Sequence, residues 1–218
     1  MNPIGIKQAL RLKIDKWLHI DRKGEYGMMA STAYLSPDTV LFSKKNLFME
    51  ENTSIPGGAM ILNPRSKFIM KKGSFSSYNL CVCPGNHAVV KGVWKHDVTD
   101  AMKDELYPDH RYDKDIIVEE DVWMGINVTL LNGAHIGRGC IVGAGCVLSG
   151  NTPPYSVVVG NPWRIVKFVF TPEEIVEHEA KLYSEDERIP LETLRKNYDD
   201  WLKTKKKMYE KENTICNP

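Results

Sequence analysis

Residues 116–151 read IIVEED, VWMGIN, VTLLNG, AHIGRG, CIVGAG, CVLSGN: six blocks of six residues, with Thr152 opening the next. The third residue of each block is Val118, Met124, Leu130, Ile136, Val142 or Leu148, always aliphatic or methionine. Four residues further on stand Val122, Val128, Ala134, Cys140, Cys146 and Thr152, all small or β-branched. Glycine follows the aliphatic position at Gly125, Gly137 and Gly143. An amphipathic helix places apolar residues three and four apart, and a strand every second residue, so neither explains two size classes in a six-residue phase. A chain that turns every six residues makes a triangular coil with three short strands. The larger side chain then points into the prism and the smaller one fills the space near a corner. Such coils stack by parallel backbone hydrogen bonds at ~4.8 Å, and several are needed before an interior is buried.

A rougher copy lies upstream. Met49/Thr53, Ile55/Ala59 and Ile61 keep the phase, Arg65 and Lys67 break it, and Met70/Ser74 with Leu80 and Val82 resume it. The two stretches together predict roughly four coils. Between them, residues 88–115 lose the rhythm but carry Trp94, Tyr107 and Tyr112, which predicts an ordered loop projecting from the coil. The expected fold class is therefore an all-β solenoid with flanking α-helices. Its parts are an N-terminal helix and connector over 1–28, the β-helix over 29–170 with the projecting loop, and C-terminal helices over 171–218.

Ile6, Leu10, Ile14, Trp17 and Leu18 have helical spacing with basic residues between them. Such a helix packs on its own domain or, less often, lies on an anionic membrane. Thr171 before Pro172 predicts the N-cap of a second helix, and a third starts near Pro190. These helices are expected to cap the open edge of the coil. Twenty-nine basic against 28 acidic residues, a net charge of +1, give no electrostatic reason for a nucleic-acid partner. No membrane span or signal peptide is read in the sequence, and the expected location is cytoplasmic. The five cysteines lack Cys-x-x-Cys spacing and are read as reduced thiols serving as small core residues.

The stretch DVWMGINVTLLNGAHIGRGCIVGAGCVLSGNTPPYSVVVGNPWRIVK closely resembles the C-terminal coils of the hexapeptide-repeat acyltransferases, among them galactoside, maltose, chloramphenicol and streptogramin acetyltransferases. CPGNHAVV resembles the strand end that carries their histidine, and EEIVEHEAKLY resembles, more weakly, the tails of surface-polysaccharide O-acetyltransferases. The resemblance implies a left-handed parallel β-helix, a homotrimer, and acetyl-CoA as co-substrate in the groove between copies. No metal is required.

The same resemblance implies that His87, following Gly85 and Asn86, is the general base of a direct transfer to a sugar or glycan hydroxyl. A histidine near its unperturbed pKa suits that task. Trp123 and the Gly125–Ile126 backbone would form the acetyl and oxyanion cleft with Asn86. Trimer burial is the competing explanation of Trp123, and Ile126 replaces a serine of some relatives. Gly143, Ala144 and Gly145 would let the pantetheine arm lie close. Ser149 and Gly150 stand where relatives have Thr-Lys, while Trp163, Arg164 and Lys167 are candidates for the adenine and phosphates. In the loop, Trp94, His96, Tyr107 and His110 are candidate acceptor contacts. His135 is expected to be a solvated side chain. The alternatives are a xenobiotic O-acetyltransferase, an amino-sugar N-acetyltransferase, a zinc enzyme of the carbonic anhydrase type, and a non-enzymatic scaffold.

Overall fold

In the computed structural model, residues 23–215 are described, together with Leu10 and Ile14. The expected N-terminal helix falls outside the described residues except at those two helical positions. The chain winds as a left-handed parallel β-helix. Its first coil is β1 (Met28–Met29), β2 (Tyr34–Leu35) and β3 (Val40–Leu41), and its second β4 (Leu47–Met49), β5 (Ser54–Ile55) and β6 (Met60–Ile61). The third is β7 (Phe68–Met70), β8 (Phe75–Ser76) and β9 (Cys81–Cys83). After the long loop come β10 (Ile116–Val118), β11 (Trp123–Met124) and β12 (Thr129–Leu131), then β13 (His135–Ile136), β14 (Ile141–Val142) and β15 (Val147–Leu148). A last partial turn holds β16 (Asn151–Thr152) and β17 (Ser156–Val159).

Each coil contributes one strand to each of three faces. The first face runs β1-β4-β7-β10-β13-β16, the second β2-β5-β8-β11-β14-β17, and the third β3-β6-β9-β12-β15. All of these pairs are parallel: Val118 lies beside Ile136, Met124 beside Val142 and Leu130 beside Leu148. The two size classes read from sequence are the interior. Met49, Ile55, Ile61, Met70, Val82, Val118, Met124, Leu130, Ile136, Val142 and Leu148 are buried, with Ala59, Val122, Val128, Ala134, Cys140 and Cys146 beside them near the corners.

Five full coils and a partial sixth exceed the four expected. The coil that the sequence reading missed is the first, whose Met29, Leu35 and Leu41 keep the six-residue step but are only partly buried against the core. Every break in rhythm sits at one corner, between the third face and the first. A 3-10 turn over Lys44–Asn46 lengthens it in the first coil, Asn63–Lys67 lengthens it in the second, and the loop leaves from it after Cys83. The buried Asn63 holds the inserted corners together, its side chain accepting from Ser43 N at 3.0 Å and donating to Ser43 O at 3.0 Å. Arg65 and Lys67 thus break the pattern because they belong to an extended corner, not because the coil stops.

Two cysteine expectations are corrected. Cys140 and Cys146 are buried, but Cys81 and Cys83 point outward from β9, half-buried, with their Sγ atoms 3.7 Å apart. Burial, with Cys83 beside it, pushes the Cys81 thiol up to about 11. His135 is also not simply solvated: its ring lies 2.6 Å from Glu119, which pairs with Lys71 at 2.6 Å.

The far end closes differently from the expectation. β18 (Arg164–Phe168) pairs antiparallel with β17 and covers that edge of the second face, so the helices need not. Helices α2 (Pro172–Leu182) and α3 (Leu191–Ile215) pack outside it through Tyr155, Phe168, Ile175 and Leu194. Thr171 caps α2 in a capping box with Glu174, as its sequence signature predicts. A fully buried Glu179 anchors the pair, accepting from Tyr155 Oη at 3.0 Å, Arg138 at 3.2 Å and Ile189 N at 2.6 Å.

Candidate functional site

Pro84 ends the third face of the third coil, and the backbone leaves the prism as Gly85-Asn86-His87. Asn86 turns back on the chain, its side-chain oxygen accepting from His87 N at 2.8 Å. Its own N–H donates to Tyr112 O at 2.7 Å, joining the outgoing and returning limbs of the loop, while Gly85 bridges to Asp113. His87 is exposed at the root of the loop and lines a cleft of ≈440 Å³.

The loop is built as a unit. A 3-10 turn (Lys95–Asp97) leads to α1 (Asp100–Leu106), capped by Thr99, whose hydroxyl accepts from Met102 N at 3.2 Å. The root is welded by charge. Arg65, from the extended corner of the coil before, reaches Asp100 at 2.9 Å, Asp104 at 2.5 Å and Asp113 at 3.4 Å. Lys103 of α1 reaches Asp113 at 2.8 Å and Asp100 at 3.3 Å, and donates to Asn86 O at 3.3 Å. The Asp113 side chain is 8% exposed and is held between Arg65 and Lys103. Hydrogen bonds donated to Asp104 and Asp100 raise Arg65; burial opposes ionisation of Asp100, but Arg65 and Lys103 outweigh it and hold the carboxyl below its usual range.

The residues singled out from sequence fall into separate groups. His87 and Asn86 share the cleft. Trp123 does not line it: it stands on the second face, 46% exposed and stacked on Phe75 with ring centroids 6.3 Å apart. Gly125, Ile126, Gly143, Ala144 and Gly145 occupy the corners between the second and third faces, also outside the cleft. The Gly125 N–H is already spent on Val142 O at 2.8 Å, and its missing Cβ is required by the coil, since one there would lie 2.7 Å from Ala144 N. Gly145 has φ +69° and open space around it.

Ser149 O accepts from the indole of Trp163 at 2.8 Å, which packs that ring half-buried against the core. Trp163 and Arg164 border a second cleft of ≈720 Å³, closed on its other side by Trp201 and Lys205 of α3. Lys167 is exposed on β18, and Gly150 takes φ +72° at the corner after β15. Of the loop candidates, none lines the His87 cleft. Trp94 is 82% exposed and His96 lies in the 3-10 turn. Tyr107 packs edge-on to Tyr112 at 4.9 Å and donates to Val89 O, and His110 stands 3.9 Å from Asp104. The loop instead turns Val98, Asp100, Lys103 and Asp113 to the cleft. Sequence reasoning missed these and Arg65. The one available signal was the pair of basic residues interrupting the hexapeptide rhythm.

Among the described residues no three His, Cys, Asp or Glu side chains converge as a metal site, and no helix is long and apolar enough to cross a membrane.

Residues 115–150 match the family described as bacterial transferase hexapeptide (six repeats). A protein of Escherichia coli K12 described as a lipopolysaccharide-biosynthesis O-acetyl transferase, WbbJ, is 30% identical over 145 residues, 65% of this chain and 67% of its own length. A protein of Mycobacterium tuberculosis described as an acetyltransferase is 47% identical over 47 residues; that match covers 22% of this chain and only 16% of the relative. In three dimensions the chain is similar to a hexapeptide-repeat acetyltransferase of Vibrio cholerae solved with acetyl-coenzyme A: TM-score 0.57 and 20% identity, over 75% of this chain and 86% of that one.

Proposed function

The chain belongs to the hexapeptide-repeat acetyltransferases, and from that premise we propose that it moves acetyl from acetyl-CoA to a hydroxyl of a sugar or surface-polysaccharide precursor, with His87 as general base. The observation that carries this reading is His87 at the mouth of a cleft, its backbone fixed by Asn86 and by the Lys103–Asp113 pair at the loop root. A base has to be held where its acceptor arrives, and a loop root pinned at both limbs does that.

In this reading the imidazole of His87 takes the proton of the attacking hydroxyl and later returns one to the departing thiol, so no residue becomes acylated. Negative charge gathering on the carbonyl oxygen needs a preorganised donor. The Gly125 N–H is committed to Val142 O, and the family resemblance at Gly125–Ile126 points to the Ile126 N–H for that role. The open strip at Gly145 and the small side chain of Ala144 suit a pantetheine arm, with Arg164 and Lys167 as partners for the phosphates.

His87 stands at the loop root beyond β9 of the third face, while Trp123 lies on the second face and Ile126 at the corner after it, both outside the His87 cleft, which supports a homotrimer in which the groove between two copies unites them. The exposed Phe75–Trp123 stack suits the inner wall of such a groove. The kinship with a lipopolysaccharide-biosynthesis protein favours a bacterial surface glycan as acceptor and a cytoplasmic setting.

The test is mass spectrometry of nucleotide sugars, oligosaccharides, amino sugars and antibiotics after incubation with the protein and acetyl-CoA. A gain of one acetyl on a saccharide hydroxyl is expected. Acetylation confined to amines or to the antibiotics would replace this reading.

A further inference from the structure

We propose that the cleft beside His87 receives an uncharged pyranose ring and that Phe42 is the platform on which the ring lies. This rests on the reading of His87 as the base and goes beyond it by naming the charge and the apolar face of the acceptor.

Phe42 directly follows β3, with its N–H donating to Ile61 O at 3.1 Å. The side chain is 65% exposed yet lines the same cleft as His87, with Leu62 and Pro64 from the next coil beside it. Part of the cleft lining is therefore apolar and includes an aromatic ring. The rest of the lining, apart from Gly85, Ala88 and Val98, is polar but internally neutral. Its cations are Arg65 and Lys103, and its anions are Asp100 and Asp113. Arg65 is engaged by three aspartates and Lys103 by two, so no lining cation is uncommitted. A phosphate or carboxylate on the acceptor would have to displace a carboxylate from a preformed, partly buried pair.

A neutral sugar meets no such penalty. Its C–H face matches the electron-rich face of an aromatic ring, and its hydroxyls can donate to an exposed carboxylate. Asp100, with its side chain 67% exposed, is placed for the latter. A pocket with an apolar wall and a few convergent polar groups is the usual form of a small-molecule site. Phe42 is accordingly a specificity residue, distinct from the base.

The experiment is steady-state acetyl transfer by the full-length protein to methyl glycosides and to the corresponding sugar 1-phosphates, for wild type, Phe42→Ala, Phe42→Trp and His87→Ala. The expected result is a preference for the neutral glycoside. Phe42→Ala should raise KM for it about tenfold, an effect the size of losing one good aromatic contact. kcat and the KM for acetyl-CoA should change little, and Phe42→Trp should restore acceptor binding. The proposal is overturned if Phe42→Ala leaves the acceptor KM within about twofold, or if the sugar 1-phosphate is the better acceptor. Full activity of His87→Ala would instead remove the reading beneath it, which separates the two failures.

Discussion

Lys103 and Asp113 show how the loop root depends on single side chains. Both are largely buried, and each holds the other in place beside the His87 backbone. Replacing Lys103 with Met leaves the Asp113 carboxylate short of a partner, a change that typically costs about 3–5 kcal/mol when a buried pair is broken. The cost should appear as faster hydrogen exchange in the loop and a lower kcat, while the coil melts nearly as in wild type. A second residue-scale prediction concerns acid. Burial opposes ionisation of Glu119, but Lys71 and His135 outweigh it and keep its carboxyl below the ordinary 4.5. A depressed carboxylate adds stability above its unfolded-state value, and that stability is lost as pH falls through the lower folded value. Melting temperature should therefore hold steady from pH 7 to about 5 and drop below about 4. Glu119→Gln should flatten part of that drop; an unchanged acid limb would count against this ion pair.

Among the elements, the coil was legible because its two size classes are dictated by the prism itself. Met124 and Leu130 must point inward wherever the chain turns every six residues, so their burial follows from spacing alone. Met124→Ala should cost about 2–5 kcal/mol, read as a lower midpoint in urea unfolding. The first coil was harder to see because Met29, Leu35 and Leu41 end the stack and are only partly covered. The ion-pair set Arg65–Asp100–Asp113–Lys103 was invisible for another reason: its members are up to 48 residues apart and meet only because corner and loop leave the same edge. The C-terminal pair carries a further prediction. Glu179 is buried and serves three donors, so Glu179→Ala should loosen α2 and α3 without unwinding the coil. Limited proteolysis should then cut after the β-helix much earlier than in wild type, and equal resistance would show that the apolar contacts of Tyr155 and Phe168 suffice.

For the whole molecule, the proposed reaction needs copies that pack so that one chain offers His87 and the next offers the Trp123–Ile126 strip. Sedimentation equilibrium should give three times the 24.8 kDa of one chain. Trp123→Glu, which sets a charge in the proposed groove, should shift that mass downward; a monomeric wild type with full activity would leave the two half-sites unexplained. The proposed reaction turns most directly on the His87 imidazole. Thiol release from acetyl-CoA in the presence of a saccharide acceptor, compared between wild type and His87→Ala, should fall about 10²–10⁴-fold in kcat while acetyl-CoA binding by calorimetry is retained. Undiminished turnover by His87→Ala would contradict the assignment of the base and the reaction built on it.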